Sequence, residues 1–229
     1  MAKLITALDV PTAELALQRV DQLRPAVDFF KIGLELYCAA GAPVVRAVAE
    51  RGCNIFLDLK LHDIPRTVAN AVKTAAIPGV DLLSIHAQGG RAMISAAAEA
   101  AHSLPHHPKI LAITILTSLE QADLSMMGVT RQIEAQTAAL AMMAVGAGAD
   151  GVVCSPREVA TLKSILPEGT LLVTPGVRPA GASLGDQKRV ATPGDAVRNG
   201  STHLVVGRPI LQAEDPVAAA KAILAEMNA

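Results

Sequence analysis

Eight short apolar runs, each followed by a longer stretch with helix-compatible spacing, constrain this chain more than any other feature. They are LITALDV (4–10), FFKIG (29–33), NIFLDLKL (54–61), LLSIHA (82–87), KILAITILT (109–117), GVVCS (151–155), LLVTPGV (171–177) and HLVVGRP (203–209). Runs this apolar read as strands buried on both faces, and their alternation with helical stretches predicts a parallel sheet. TAELALQRVDQL and APVVRAVAERG are two of the helical stretches, the second ending on Gly52 where a C-terminal cap glycine belongs. Eight βα units in 229 residues give roughly 29 residues each, close to the ~250-residue norm of a closed (β/α)8 barrel. An open doubly wound sheet is the competing arrangement. It usually needs fewer strands, and no G-x-G-x-x-G follows the first run here. No linker, charge block or low-complexity segment divides the chain, so one α/β domain over residues 1–229 is expected.

With 51% hydrophobic residues the chain can bury a sizeable core, and with aromatics at 2% and no Trp, Ala, Val, Leu and Ile must fill it. A formal net charge of −1 argues for neither nucleic acid nor a membrane surface as partner. No apolar run is long enough to span a bilayer, and MAKLITALDV lacks the layout of a signal peptide. Cys38, Cys53 and Cys154 are isolated and odd in number, as reduced thiols of a cytoplasmic protein would be. HSLPHHP (102–108) has three His but no carboxylate or Cys at ligand spacing, so a solvated loop is expected there and no metal.

Barrel enzymes work at the C-terminal ends of their strands, and here those ends are charged. Asp9 closes the first run, Lys31 stands in the second, Asp58 and Lys60 in the third, His86 near the end of the fourth, and Thr117 and Ser118 at the fifth. By strand alternation Ile55, Leu57, Leu59 and Leu61 face the helices, while Phe56, Asp58 and Lys60 face the barrel axis. Asp58 and Lys60 are then neighbours, with Lys31 beside them on the adjacent strand. A structural ion pair plugging the barrel is the plain reading. Buried pairs return little stability for their desolvation, and such clusters mark functional sites more often. The seventh and eighth runs end in PGVRP and VGRP, at the two loops that commonly hold phosphate in this fold. Gly176 and Gly207 allow close backbone approach to an anion, and Arg178 and Arg208 add bidentate donors; turn signals with solvated Arg are the alternative. RPAGASLGDQKR (178–189) has the length and small-residue content of a lid, with Gln187 near its end. Asp63 lies past the third run, just before Pro65, and is expected to project sideways over the rim.

These segments resemble the orotidine 5'-monophosphate decarboxylase family over essentially the whole chain. Its D-x-K-x-x-D-I-P signature stands as Asp58-Leu59-Lys60-Leu61-His62-Asp63-Ile64-Pro65, with Thr67 in register. ALD ending at Asp9, FKIG with Lys31, TILTS with Thr117, TPGVRP with Arg178, GDQ with Gln187 and VGRPI with Arg208 also match, and HAQGG (86–90) replaces HASGG. The resemblance implies a barrel of the ribulose-phosphate-binding type and cofactor-independent decarboxylation of orotidine 5'-phosphate to UMP in pyrimidine biosynthesis. It implies that Lys60 protonates C6 and Asp58 sits beside the substrate carboxylate. Lys31 and Asp9 would hold the ribose, and Thr117 would lie by the pyrimidine. Gln187, Arg178, Gly207 and Arg208 would bind phosphate. It implies a homodimer in which Asp63, Ile64 and Thr67 reach the neighbouring site. A related group, the metal-dependent 3-keto-gulonate-6-phosphate decarboxylases and hexulose-phosphate synthases, is the alternative. It is expected to carry Glu in place of Lys31 and to lack the Gln-bearing lid. A phosphosugar-binding barrel without chemistry is the non-enzymatic alternative.

Overall fold

The computed structural model describes residues 1–179 and 191–229. Eight parallel strands close into a barrel in sequence order, β8 pairing with β1. They are β1 (Lys3–Ala7), β2 (Phe29–Gly33), β3 (Asn54–Leu61), β4 (Val80–His86), β5 (Lys109–Ile113), β6 (Gly151–Val153), β7 (Leu171–Thr174) and β8 (His203–Val206). The outer layer comprises α1 (Ala13–Leu23), α2 (Leu34–Ala49), α3 (Pro65–Ala75), α4 (Gly90–His102), α5 (Gln121–Met126), α6 (Ile133–Val145), α7 (Val159–Ile165), α8 (Pro193–Asn199), α9 (Arg208–Leu211) and α10 (Pro216–Met227). Local chemistry sets the helix starts. Thr12 accepts the Leu15 N–H ahead of α1, and Asp215 accepts the Val217 and Ala218 N–H groups ahead of α10. Pro65, Pro193 and Pro216 occupy first helical positions, where no N–H is missed.

Strand alternation divides the core in two. Leu4, Phe30, Ile32, Ile55, Leu57, Leu83, Ile85 and Leu204 turn outward into a large cluster shared with the helices. Ile5, Ala7, Phe29, Phe56, Leu82, Leu111, Val173 and Val205 turn inward and fill the barrel. Each large side chain so buried is worth ~1.5–3 kcal/mol relative to exposure. Few aromatics are needed because the inward positions are mostly aliphatic, with Phe29 and Phe56 as the bulky exceptions. The inward register, followed toward the strand C-termini, arrives at Lys31, Asp58 and Ser84, and at Asp9 two residues beyond Ala7.

Several strands stop short of their apolar runs. β1 ends at Ala7 and not Val10, β5 at Ile113 and not Thr117, β7 at Thr174 and not Val177. Single ladder bonds continue a step further, from Leu8 N–H to the Lys31 carbonyl and from Cys154 N–H to the Val173 carbonyl. Leu8, Ile115 and Val177, past the strand ends, stay buried against the helix layer, so hydrophobicity outlasts regular pairing. α2 also differs from expectation: it runs from Leu34 through a kink at Gly41 (φ 64°), and the stretch read from sequence is its second half. Gly52 closes that end as expected, at φ 72° with its N–H on the Ala49 carbonyl. In the 102–108 segment, His106 and His107 hydrogen-bond to the Val80 and Leu104 carbonyls, as loop residues would. None of the three cysteines is in a disulfide; Cys53 and Cys154 are buried and Cys38 is exposed. No helix among the described residues is long and apolar enough to cross a membrane.

Candidate active site

The C-terminal mouth holds a cavity of about 470 Å³. Four charged side chains alternate in sign along its wall. Lys31 Nζ lies 2.9 Å from Asp9 Oδ1 and 3.8 Å from Asp58 Oδ2, and Lys60 Nζ lies 2.7 Å from Asp58 Oδ2. Adjacent strands supply the row, since register places Ala7 beside Lys31 and Gly33 beside Asp58. Burial is graded: the Asp58 side chain is 9% exposed and that of Lys31 12%, against 30% for Lys60 and 52% for Asp9. Asp58 therefore sits at the dry centre with an ammonium on either side, and the Lys60 ammonium faces the open cavity.

The β3 strand is distorted where it carries this chemistry. β3 and β4 pair regularly at Leu57–Leu83 and again at Leu61–Ile85. Asp58, Leu59 and Lys60 thus occupy an interval that Ser84 alone spans on β4. That is a bulge, a device that re-aims side chains and is frequent beside active sites. Within it Lys60 has φ 51°, the one non-glycine residue at positive φ among the described residues. Holding a residue there costs on the order of 1–3 kcal/mol unless its surroundings over-determine it. Ser84, fully buried, supplies two bonds at this point. Its hydroxyl donates to Asp58 Oδ1 (2.8 Å) and accepts the Lys60 N–H (2.8 Å). The expected faces hold: Leu59 and Leu61 pack on the outer cluster and Lys60 reaches the cavity. The regular alternation assumed between them does not.

His86, at the end of β4, stacks on His62 with ring centroids 5.2 Å apart. Burial holds its imidazole below the ordinary histidine pKa, and the neighbouring His62 and Lys60 act in the same direction. The neutral ring is the form this neighbourhood favours.

Of the residues expected at the site, Asp9, Lys31, Asp58, Lys60, Thr117, Arg178, Gly207 and Arg208 line this cavity. Arg208 opens α9, and Gly207 precedes it at φ −111°, so this glycine is not required by a left-handed backbone. Gly176 does adopt φ 77°. Arg178 is buried (8% exposed), and its guanidinium donates to the Val177 carbonyl. Asp63, Ile64 and Thr67 do not line the cavity. They lie exposed at and before the start of α3, with Ile64 66% exposed and the Asp63 carboxylate accepting the Ile64 N–H. Gln187 lies outside the described residues.

Two positions escaped the sequence reading. Ser84 was legible as the lone hydroxyl at an inward position of LLSIHA. Gly33, closing FFKIG, leaves room for the Lys31 ammonium: a Cβ there would lie 2.6 Å from Lys31 Nζ.

A closed parallel barrel with fixed, paired charges at the C-terminal mouth defines a (β/α)8-barrel enzyme. Residues 2–223 match the model of the orotidine 5'-phosphate decarboxylase / HUMPS family. The chain is 50% identical to the orotidine 5'-phosphate decarboxylase of Moorella thermoacetica, over 99% of this chain and 92% of that protein. It is 48% identical to that of Nitrosococcus oceani, over 99% of this chain and 98% of the relative. The crystal structure of orotidine 5'-phosphate decarboxylase from Lactobacillus acidophilus superposes over 100% of both chains, with TM-score 0.90 and 40% identity. That from Pyrococcus horikoshii superposes over 99% of both, with TM-score 0.79 and 26% identity. This chain belongs to the orotidine 5'-phosphate decarboxylase / HUMPS family.

Proposed function

We infer that this chain decarboxylates orotidine 5'-phosphate to UMP and carbon dioxide, the last step of de novo UMP synthesis. The observation that carries the reading is the row Asp9–Lys31–Asp58–Lys60 on the cavity wall, with an ammonium at its inner, open end. When the bond from C6 to the carboxylate carbon breaks, the electron pair stays on C6. The Lys60 ammonium meets that charge and then donates its proton to the same carbon, leaving a neutral amine that solvent reprotonates. Asp58 orients the ammonium and lies beside the substrate carboxylate.

The remaining roles are those that the family resemblance implies for the matching residues. Lys31 and Asp9 hold the ribose hydroxyls and Thr117 lies by the pyrimidine. Arg178, Gly207 and Arg208 bind the phosphate together with Gln187. Phosphate binding far from the breaking bond supplies energy that orders the charges. Asp63, Ile64 and Thr67, exposed beside the rim, reach the neighbouring subunit's site in a homodimer. Residues 1–229 act as one barrel domain in the cytoplasm, without a cofactor. The metal-dependent phosphosugar branch of the family fits less well. That branch is expected to carry Glu where Lys31 stands, and here the position is an ammonium between Asp9 and Asp58.

An ultraviolet assay of orotidylate loss in EDTA tests substrate, reaction and metal independence together. Turnover unaffected by chelation is expected. Turnover that appears only on adding magnesium would return the metal-dependent alternative, and tight UMP binding with no turnover would indicate a binding barrel.

A further inference from the structure

The strained residue and the residue expected to move the proton are the same, Lys60. Strain of this kind persists only where neighbours hold it, and a bulge removes the backbone partner that would normally do so. At this bulge the β4 partner contributes a side chain in its place. Ser84 Oγ accepts the Lys60 N–H at 2.8 Å and, with its own proton, binds Asp58 Oδ1 at 2.8 Å. The other Asp58 oxygen, Oδ2, takes the Lys60 ammonium at 2.7 Å. Backbone N–H, hydroxyl, carboxylate and ammonium thus close a ring that begins and ends on Lys60. Ser84 is fully buried and Asp58 nearly so (6% exposed), so water is poorly placed to replace the hydroxyl.

We propose that Ser84 is a positioning residue for decarboxylation: it locks the left-handed backbone of Lys60 and one oxygen of Asp58, so that the ammonium points at the reacting carbon. This rests on the reading that Lys60 supplies the proton. Ser84 itself need not touch the substrate.

The test compares Ser84→Ala, Ser84→Cys and wild type by kcat, KM, UMP affinity and the crystal structure of each variant. An error of about 1 Å in a reacting group costs on the order of a hundredfold in rate, so Ser84→Ala is expected to lower kcat by about that factor. UMP affinity, set mainly by the phosphate clamp, should stay within about threefold. Cys fills nearly the same space with a weaker donor and acceptor, so Ser84→Cys should fall between; it carries the test if the Ala variant does not fold. In the Ala crystal structure Lys60 should leave positive φ or its Nζ should leave Asp58 Oδ2. An unchanged kcat, or a loss confined to UMP affinity or thermal stability, overturns the proposal. So does a Lys60 that keeps its backbone and its ion pair without the hydroxyl. If wild type itself fails to turn over orotidylate, the functional reading fails instead, and the Lys60 geometry in the variants still decides the part played by Ser84.

Discussion

The barrel's two ends carry similar residue types and treat them differently. The C-terminal mouth opens a cavity of about 470 Å³ and the N-terminal end one of about 340 Å³, lined by Lys3, Phe29, Asp81, His106, Lys109 and His203. At the N-terminal end the polar groups complete the fold. Asp81 Oδ2 accepts the Ile55 N–H, His106 meets the Val80 carbonyl, His203 pairs with the Thr202 hydroxyl, and Lys3 lies over the Phe29 ring. At the mouth the relation is reversed. The charges bond to one another, and the backbone of β3 is bulged and twisted through a positive φ to bring them together. Side chains that serve the backbone mark the structural end, and a backbone bent to serve side chains marks the working end.

The largest effect is expected at Lys60. Lys60→Ala removes both the proton source and the charge that meets the carbanion. Turnover is expected to fall by at least about 10⁴-fold, while the melting temperature and UMP binding persist. Steady-state kinetics alongside calorimetric titration of UMP would check this, and near-normal turnover would remove the basis for the assignment. Arg208→Ala should cost about a hundredfold in kcat/KM, the scale of a charge-assisted bond, mainly through KM. Unchanged constants would mean that phosphate binds elsewhere.

The N-terminal end should answer to pH in stability rather than in rate. Burial, reinforced by Lys3 and Lys109, lowers the His203 pKa from 6.5 to about 4. The folded state resists protonation that the unfolded chain accepts, so this stability is fully present above pH 6.5 and drains away as pH falls toward 4. Between pH 7 and pH 4.5 the loss is about 2 kcal/mol, roughly thirtyfold in the folding equilibrium. Chemical denaturation of wild type and His203→Gln at both pH values should show that His203 accounts for this part of the slope; equal slopes would rule it out.

Mixing inactive Lys60→Ala and Asp63→Ala chains tests whether Asp63 serves the partner's mouth. If Asp63 serves the partner's site, half the dimers are mixed and each has one intact site. About a quarter of wild-type activity should then return. With subunit exchange verified by mass spectrometry, no recovery would confine Asp63 to its own chain. The smallest effect is expected from Lys3→Ala at the N-terminal end: kcat and KM within about twofold of wild type. A larger change would show that the two ends communicate.

Features that act within a few residues were legible in the sequence. Apolar runs and helical spacing determined eight βα units, because burial on both faces demands continuous hydrophobicity. Thr12, Pro65 and Gly52 determined where helices begin and end, because their caps and dihedrals act within a few residues. Charged strand ends and the D-x-K-x-x-D-I-P run pointed to Asp9, Lys31, Asp58 and Lys60, which do share one wall. Strand lengths, the kink at Gly41 and the room that Gly33 leaves for Lys31 were decided by packing around the barrel. The bulge and the part taken by Ser84 depend on a neighbour distant in the chain. Alternation says which face a residue takes but not what stands opposite it. Opposite Lys60 stands a residue 24 positions later, reached only after α3 has carried the chain back to lay β4 beside β3. No pattern internal to β3 records that its partner there is a hydroxyl.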